Sequence, residues 1–564
     1  MISVSKRNWQ EVKINENIVK KTQQVNNFSN VISRLLVARK FEDEEIYSIK
    51  NYLELSNKFH NNLDFINSSK LVEETINKKE RICILGDYDV DGSVATALFI
   101  KFFEKLNHPY FYYIPDRVKD GYGASKKLFQ KLIKKKIELV IMVDCGSTSN
   151  EAIDFLNKNN VKSLIIDHHE IDKPYPKSNE IINPKKNNGY IEYDYLCATT
   201  LTYFFLEILA KKINFKINLR KYLIYVLLAT VCDVMPLRKI NRLLSIIALK
   251  EFDIKENYLI KKIYDLSRKN NKININDLGF LIGPILNAGG RLGKSTYATE
   301  LLSTSNQKII DDKSTKLIAL NEKRKKIELS ILNTIDFKQI EIDNDHVIFF
   351  YNSNINEGLI GVVASRLKDH FNKPSIVITN SNNLLKGSAR SISSYNIGKA
   401  IKRALNRNIV LKGGGHNMAA GFTLNKNALN DFMKFINEDF LKNKSKSEFE
   451  FRYDSEISFS AINKEFLEDL KKLQPFGNGN PLPIFFLKKL TVIKPKILNN
   501  RHISCFLKSK AGRSINSICF NSINTKVGEY LLNYKKDFNV VGQINENIWD
   551  NKRTLQLIIK DIIL

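Results

Sequence analysis

The amino-acid sequence predicts an α/β protein that ends in a small β-barrel. From Arg81 onward, short apolar runs end in acidic residues or glycine, and amphipathic helical stretches follow them. A second region of this kind begins at His346. In the first of these regions, strands that alternate with helices indicate a parallel sheet in an α/β domain. After residue 450, short alternating runs replace this pattern, as is typical of a small all-β barrel.

These changes of pattern divide the chain into five predicted regions. The first region, residues 1–77, is polar and helical, and no residue pattern in it suggests catalysis. The third region, residues 251–342, has charged and apolar residues interleaved at helical spacing, as in an exposed connector. The stretch from Lys442 is polar enough for a linker. The regions are an N-terminal accessory helical segment (1–77), an α/β catalytic domain (78–250), a helical connector (251–342), a second α/β lobe (343–441) and a β-barrel (450–564).

Composition narrows the class of protein. The 88 lysines and arginines exceed the 60 aspartates and glutamates, and the net charge of +28 favours a polyanionic partner, nucleic acid or an anionic membrane. A generally lysine-rich composition is the alternative. No apolar run approaches the ~18 residues that span a bilayer, and no secretory signal is evident. Six cysteines without CxxC spacing predict neither a zinc ribbon nor disulfides, so we expect a cytoplasmic protein.

Three aspartates alternate after the first predicted strand. Asp87, Asp89 and Asp91 lie within GDYDVDG, and carboxylates this close repel one another unless cations neutralise them. The same spacing opens a calcium-binding EF-hand loop. That loop requires glutamate at its twelfth position, where this chain has Leu98, and a preceding helix, where this chain has a predicted strand. A calcium loop is therefore not expected.

Further acidic and histidine residues follow the next predicted strands. Asp144 ends one strand, Asp167, His168 and His169 end another, and Asp233 follows an apolar helical stretch. Because the carboxyl ends of neighbouring parallel strands face one crevice, we expect these residues to converge with the three upstream aspartates. Carboxylates and imidazoles without thiolates suit two divalent cations, Mn²⁺ or Mg²⁺, rather than structural zinc.

Each residue of this cluster also has a plainer interpretation. An aspartate after a strand is often a helix cap, and a lone histidine is usually structural. The joint pattern is harder to explain in this way, because two of only eight histidines are adjacent and follow two acidic strand ends. Such clustering is typical of a functional site.

Four motifs resemble those of the DHH phosphoesterase superfamily: GDYDVDG, VDCG, DHH at Asp167 to His169, and ATVCDVMPL. Within it, the chain is similar over nearly its whole length to RecJ-type single-strand-specific exonucleases. Leu85 stands where some relatives have a histidine. The resemblance implies a catalytic two-metal site with ligands at Asp89, Asp91, Asp144, His168, His169 and Asp233, and with Asp87 nearby.

Two glycine-containing motifs are candidates for phosphate binding. LKGSARSIS is predicted to place Gly387, Ser388 and Arg390 on a turn, with a plain surface turn as the alternative. In GGGHNMAAGFT, glycines let the backbone approach a ligand, and His416 supplies a donor beside small residues that we expect to begin a helix. A flexible turn is the alternative there.

Together with EGLIGVVASRL, these motifs resemble the substrate-binding lobe of DHH enzymes. GPILNAGGRLG is similar to a motif between the lobes, with Gly289 where alanine is more usual, and Ile355 stands where the family usually has tryptophan. YIPDRVKDGYG matches another RecJ-like motif. The resemblance implies that nucleic-acid or 5′-phosphate contacts are made by Arg117, Arg291, Ser388, Arg390 and His416.

The last region resembles an OB-type nucleic-acid-binding barrel. LQPFGNGNPLPIF, from Leu473 to Phe485, is similar to the segment that leads into the barrel of RecJ-like proteins. Barrels of this type hold single strands with basic grooves and stacked aromatic rings. The basic stretch from Lys126 could add to such a groove, although a solvated helix face is the simpler interpretation.

The expected function is a metal-dependent 5′ to 3′ exonuclease that processively hydrolyses single-stranded DNA to 5′-mononucleotides in DNA repair and recombination. The residues themselves indicate phosphate-ester hydrolysis in a basic, two-lobed cleft, whereas polarity and strand choice come from the resemblance. It implies single-stranded DNA as substrate, a single-strand-binding protein and a helicase as partners, no membrane, and a monomer.

Two other classes of function fit parts of the pattern. A phosphodiesterase for short oligonucleotides or cyclic dinucleotides, or a manganese pyrophosphatase, needs no terminal barrel, so the residues after Asp454 argue against it. A non-catalytic nucleic-acid-binding scaffold could lose metal ligands freely, whereas here all the matched acids and both histidines are present.

Overall fold

The structure, a computed structural model, describes residues 1–116, 120, 123–186, 190–343, 346–381, 383–444, 450–534, 536–549 and 552–564. The chain divides into two compact units. Residues 56–235 and 247–446 form the first, which we call the catalytic unit. Residues 1–55, 236–246 and 447–564 form the second, which we call the barrel unit.

Helices dominate the N-terminal residues, as predicted. Asn15, Ser29 and Asn62 begin three of the helices, because their side-chain oxygens accept hydrogen bonds from backbone N–H groups of the first turn. A short strand, which was not predicted, precedes them. The elements are β1 (Asn8–Glu11), α1 (Glu16–Asn26), α2 (Asn30–Ala38), α3 (Asp43–Tyr47) and α4 (Leu63–Asn77).

A parallel sheet follows, and it confirms the predicted α/β pattern. Its elements are β2 (Ile82–Leu85), α5 (Val90–Leu106), β3 (Tyr110–Tyr113), α6 (Lys126–Leu132), β4 (Leu139–Val143), α7 (Asn150–Lys158), β5 (Lys162–Ile166), β6 (Glu180–Ile182), α8 (Ala198–Lys212), α9 (Leu223–Cys232) and α10 (Lys239–Glu251). The strand order is β3-β2-β4-β5-β6, and all pairings are parallel. Every residue of β2 and β4 is buried, which explains their continuous apolar sequence.

The predicted connector is helical. It contains α11 (Tyr258–Leu266), α12 (Ile275–Asp277), α13 (Gly283–Arg291), α14 (Tyr297–Ser303), α15 (Gln307–Asn333) and α16 (Phe337–Asp343). A π-helical segment, Leu278–Ile282, runs directly into α13, and we call it the π segment.

A second α/β lobe is present as predicted, with strand order β10-β11-β9-β8-β7. Only β7 and β8 pair in parallel among its described strands. Its elements are β7 (Ile348–Tyr351), α17 (Ile360–Phe371), β8 (Ser375–Ser381), β9 (Leu384–Arg390), α18 (Ile397–Asn406), β10 (Lys412–His416), β11 (Ala419–Leu424) and α19 (Leu429–Asn443).

Two local predictions for this lobe are wrong. Gly387, Ser388 and Arg390 lie on strand β9 rather than on a turn. The small residues after His416 form strand β11 rather than the start of a helix. At Gly387 a Cβ atom would lie 2.0 Å from Cζ of Phe422, so this glycine makes room for a ring on the neighbouring strand. Glycine here serves close packing between strands and not chain reversal.

The C-terminal residues form the predicted β-barrel, and the structure shows that it is closed. Strands β14, β15, β16, β18 and β17 pair in that order, and β17 pairs back with β14. Most of the predicted linker from Lys442 lies outside the described residues, while its first residues belong to α19. The elements are β12 (Glu450–Tyr453), β13 (Ser455–Glu456), α20 (Lys464–Lys471), β14 (Phe485–Leu498), β15 (His502–Ser509), β16 (Ser514–Cys519), α21 (Lys526–Asn533), β17 (Phe538–Trp549) and β18 (Lys552–Ile563).

The N-terminal residues are fastened to the barrel within their unit. Strand β1 pairs in parallel with β12. The carboxylate of buried Asp561 on β18 accepts hydrogen bonds from Ser3 Oγ at 2.8 Å and from Trp9 Nε1 at 3.0 Å. Among the described residues, no helix is both long and apolar enough to cross a membrane.

Candidate active site

The carboxyl ends of β2, β4 and β5 bring the predicted acids together. Asp87 follows β2, Asp144 directly follows β4, and Asp167 directly follows β5. Asp233 is the C-terminal cap of α9. The expected convergence at one edge of a parallel sheet therefore exists in the folded chain.

Seven side chains lie close enough to share metal ions. They form three overlapping groups, and within each group the ligand atoms lie within 4.8 Å of one another. Two of the seven belong to two groups each, as expected for a pair of neighbouring cations. We call the seven the metal cluster, and it contains every residue predicted as a metal ligand. The groups are Asp144–His168–His169, Asp91–His168–Asp233 and Asp87–Asp89–Asp144.

Buried polar atoms in the metal cluster fit bound cations. Nε2 of His168 lies 3.4 Å from Oδ1 of Asp144 and 3.3 Å from Oδ2 of Asp233. Within the described part of the chain, these two oxygens and both ring nitrogens of His168 are buried without a hydrogen-bond partner. Leaving buried polar atoms unsatisfied costs free energy. Carboxylate oxygens and imidazole nitrogens suit Mn²⁺ or Mg²⁺, so the residues present fit these ions.

Electrostatics at the cluster favour the same conclusion. Burial raises the pKa of Asp144 well above its usual value, and the charges of Asp91 and Asp89 raise it further. Burial and Asp91 likewise raise the pKa of Asp233. Burial lowers the pKa of His168 well below its usual value, so the ring is neutral at pH 7, the form that binds metal. Divalent cations would offset the repulsion among the carboxylates.

Asp89 and Asp91 are helix caps as well as members of the cluster. Oδ1 of Asp89 accepts a hydrogen bond from the backbone N–H of Gly92 at 3.1 Å, which begins α5. The carboxylate of Asp91 accepts hydrogen bonds at 2.9 Å from the backbone N–H groups of the first two residues of α8. These N–H groups stabilise the negative charges. The plainer interpretation as caps is therefore correct, and it does not exclude metal binding.

Two residues of the site have left-handed backbone conformations. Asp144 has φ 59° and Val234, next to Asp233, has φ 57°. Non-glycine residues rarely adopt this conformation, and it costs about 1 to 3 kcal/mol. Such strain is typical of functional sites, because the surrounding fold must hold these side chains where chemistry needs them.

Asp167 positions the histidines, a role that the sequence analysis did not assign to it. Its Oδ1 accepts hydrogen bonds from the backbone N–H groups of His168 at 2.8 Å and His169 at 3.2 Å. Nδ1 of His169 lies 2.7 Å from the same oxygen. Although burial opposes protonation of His169, the Asp167 carboxylate raises its pKa to about 9. A ring that donates from Nδ1 to a carboxylate presents Nε2 to a metal. The adjacency of Asp167 to the two histidines in the DHH motif is the sequence feature that could have indicated this role.

The second lobe brings His416 to the metal cluster. Its ring centroid lies 5.3 Å from that of His169 and 6.5 Å from that of His168. Desolvation of the ring, together with the charge of His169, lowers the pKa of His416 to about 4. The imidazole is therefore neutral at pH 7 and acts as a hydrogen-bond donor or acceptor rather than as a cation.

Three other predicted phosphate contacts lie around the start of α17. Nη1 of Arg291 donates to the backbone carbonyl of Gly358 at 3.3 Å. A Cβ atom at Gly361 would lie 2.9 Å from Nη2 of Arg390 and 3.0 Å from Oγ of Ser388. Two guanidinium groups and a hydroxyl thus surround a helix N-terminus, where the helix dipole favours an anion. Arg117, the remaining predicted contact, lies outside the described residues.

Two of the three departures from the family pattern, Ile355 and Gly289, have local explanations. Ile355 is buried and packs in a cluster with Leu359 and Val363. At Gly289 a Cβ atom would lie 2.6 Å from the backbone oxygen of Lys294, so an alanine would require that backbone to shift.

Lys185 is a charged neighbour of the cluster that the sequence analysis missed. Asn183, two residues before it, donates from Nδ2 to Ser147 Oγ at 2.8 Å and to the backbone oxygen of His169 at 2.9 Å. Lys185 Nζ pairs with Glu170 Oε1 at 3.0 Å, and its charge partly offsets the rise in the pKa of Asp233 that burial and Asp91 cause. The loop after β6 thus holds a cation beside the DHH residues. The apolar pair Ile181 and Ile182 directly before NPK was the available signal.

The parallel sheet, the metal cluster and the facing second lobe define a metal-dependent phosphoesterase of the DHH class. Comparison with known families agrees with this class. Residues 81–230 match the DHH family N-terminal domain, residues 344–442 match the DHHA1 domain, and residues 453–561 match the RecJ OB domain.

Within this class, the chain is similar over most of its length to RecJ proteins. Two of its relatives carry the name single-stranded-DNA-specific exonuclease RecJ. The Bacillus subtilis protein is 25% identical over 571 residues, which cover 99% of this chain and 71% of that protein. The Haemophilus influenzae protein is 29% identical over 514 residues, which cover 87% of this chain and 88% of that protein.

A crystal structure of RecJ from Thermus thermophilus in complex with Mn²⁺ has the same fold. The TM-score is 0.83 at 20% identity, over 99% of this chain and 79% of that chain. Another structure of the same protein, in complex with Mg²⁺, has a TM-score of 0.76 at 19% identity, over 99% of this chain and 78% of that chain.

The role of Asp167 leads to a prediction about metal affinity. Asp167→Asn is expected to weaken Mn²⁺ binding about tenfold to a hundredfold, because an amide oxygen orients the His169 ring less firmly than a carboxylate does. Calorimetric titration of the full chain with Mn²⁺ measures this. Asp154→Asn, an exposed substitution on α7, is the matched control and should leave the affinity unchanged. Equal affinities in the two variants would contradict the role assigned to Asp167.

Proposed function

We propose that this chain is a metal-dependent 5′ to 3′ exonuclease that hydrolyses single-stranded DNA to 5′-mononucleotides in DNA repair and recombination. The observation that supports phosphodiester hydrolysis is the metal cluster itself, with His416 of the second lobe 5.3 Å from His169 between ring centroids. The RecJ relatives and the RecJ OB match support single-stranded DNA as the substrate.

The cluster residues have distinct proposed roles. Asp89, Asp91, Asp144, His168, His169 and Asp233 hold two divalent cations, with Asp87 as a further ligand. When bound, the cations supply positive charge that neutralises the phosphodiester and makes water a stronger nucleophile. Asp167 holds the His169 ring, and hydrogen bonds from helix N-termini hold the Asp89 and Asp91 carboxylates in place.

The second lobe is proposed to orient the strand. Ser388 and Arg390 of this lobe, together with Arg291 of the connector, bind the terminal 5′-phosphate at the start of α17. Neutral His416 donates a hydrogen bond to the phosphodiester to be cut. Releasing a 5′-mononucleotide breaks the bond between phosphorus and the 3′-oxygen. The shortened strand therefore keeps a new 5′-phosphate, which the same residues can bind in the next turnover. This reuse supports the proposed direction of degradation.

We propose Arg117 as a further contact to the strand, on the strength of its motif alone. We also propose that the enzyme is a cytoplasmic monomer that works with a helicase and a single-strand-binding protein. The support for these partners is their chemistry: a helicase supplies single strands, and a single-strand-binding protein covers the same substrate. Light scattering of the purified chain tests the monomer.

Strands labelled separately at each end test the proposed activity in Mn²⁺ or Mg²⁺. We expect immediate release of mononucleotide label from the 5′ end of single strands, with duplex spared. Asp144→Ala should lower the rate at least about a hundredfold, because it removes electrostatic stabilisation of the transition state. Asp154→Ala should retain the rate.

Other outcomes of this assay would identify the alternatives. Attack from the 3′ end, or only on dinucleotides, would contradict the proposal and favour a small-substrate phosphodiesterase. Binding of single strands without cleavage would favour a nucleic-acid-binding scaffold.

The proposed 5′-phosphate contacts predict a preference that a single residue controls. Arg390→Gln should reduce kcat/KM for 5′-phosphorylated strands about tenfold to a hundredfold, the usual effect of losing a charge-assisted hydrogen bond. Strands with a 5′-hydroxyl should be affected much less. Arg407→Gln, on the same lobe with its guanidinium over the Phe435 ring, is the matched control. An unchanged preference in Arg390→Gln would contradict the assignment.

A further inference from the structure

Phe280 is a solvent-exposed aromatic residue on the π segment. It is 83% exposed, more than any other large hydrophobic side chain in the described part of the chain. A single exposed apolar residue is ordinary on a protein surface. The meaning of Phe280 therefore depends on where it lies and on what surrounds it.

The π segment places Phe280 next to the end of α9. At Gly283, directly after this segment, a Cβ atom would lie 2.3 Å from Sγ of Cys232, so the two elements are in close contact. Cys232 directly precedes Asp233 of the metal cluster, and Val234 follows with 64% of its surface exposed. π-Helical segments are rare and are frequently found at functional sites. Exposed Val234 thus adjoins a proposed metal ligand, and exposed Phe280 lies on the segment that packs against the helix end preceding that ligand.

The other end of α13 also reaches the metal cluster. At Gly290 a Cβ atom would lie 2.8 Å from the backbone oxygen of Tyr88, which stands between Asp87 and Asp89. The last residue of α13 is Arg291, a proposed phosphate contact. The π segment and α13 therefore contact, at their two ends, residues that directly adjoin members of the metal cluster in sequence.

Phe280 and Arg291 lie on the same face of the helical stretch formed by the π segment and α13. Phe280, Pro284, Asn287 and Arg291 recur at intervals of four, three and four, which places them on one side of a helix. None of the four is buried, whereas Ile282, Ile285 and Leu286 are. At about 1.5 Å per residue, the eleven steps from the first to the last span roughly 16 Å. That distance accommodates a few nucleotides of an extended strand.

We propose that Phe280 is a stacking platform for a base of the single strand whose terminal phosphate lies near Arg291. The inference rests on the proposed function and adds a base-binding subsite to it. An aromatic face suits this task because every base has a π-face, so stacking tolerates any sequence. The contact would hold the strand a few nucleotides from the cut and in line with the metal cluster.

Strands with a single abasic nucleotide test the platform. Moving the abasic position along the strand from the 5′ end should reveal one position at which KM rises about tenfold for the unaltered enzyme. Phe280→Ala should raise KM for the intact strand by a similar factor, change kcat less than about twofold, and abolish the effect of the abasic position. Phe280→Trp should retain both. Leu329→Ala, 60% exposed on α15, is the control and should behave as the unaltered enzyme does.

Binding in EDTA tests the same contact without catalysis. A strand with 2-aminopurine at the sensitive position, or at each position in turn if hydrolysis is absent, should lose fluorescence on binding to the unaltered chain and not to Phe280→Ala. An unchanged KM in Phe280→Ala, an abasic effect that survives the substitution, or equal quenching in both proteins would overturn the platform. Failure of the unaltered enzyme to cut single strands would overturn the proposed function alone, since the quenching still reports on the platform.

Discussion

Crowding of carboxylates at the carboxyl ends of β2, β4 and β5 is the constraint on which the rest of the structure depends. Asp144 lies among the charges of four other aspartates, and its pKa is raised well above the usual value. Its left-handed backbone conformation and its unsatisfied Oδ1 atom further destabilise the folded, metal-free chain. The broad apolar cores of the catalytic unit offset this cost. The crowded carboxylates therefore lower the stability of the metal-free chain and favour the binding of cations.

The fold limits the repulsion in two further ways. Helix N-termini stabilise Asp89 and Asp91, because backbone N–H groups donate to both carboxylates. Asp167 stays ionised, because two backbone N–H groups and the His169 ring donate to one of its oxygens. Asp89 and Asp91 are thus both helix caps and members of the metal cluster. An aspartate that begins a helix at the edge of a parallel sheet is already oriented toward the crevice where a cation can bind.

The sequence predicts the strand-end acids well, because burial on both faces makes β2 and β4 continuous apolar runs, and β5 ends in an apolar run. It predicts the surroundings of Ser388 less well, because glycine marks either a turn or close packing between strands, and only the Phe422 ring distinguishes the two. Lys185 is missed because its importance depends on how a loop folds back onto the DHH residues. The exposure of Phe280 could not be predicted either, since a phenylalanine at helical spacing usually belongs to a core.

Thermal unfolding of the full chain and of Asp144→Asn, each with EDTA and with Mn²⁺, tests the central claim most directly. If carboxylate crowding destabilises the metal-free site, Asp144→Asn should unfold about 2 °C or more above the unaltered chain in EDTA. Mn²⁺ should raise the unfolding temperature of the unaltered chain and raise that of the variant far less. A variant that is less stable in EDTA, or that gains as much from Mn²⁺ as the unaltered chain does, would contradict the account.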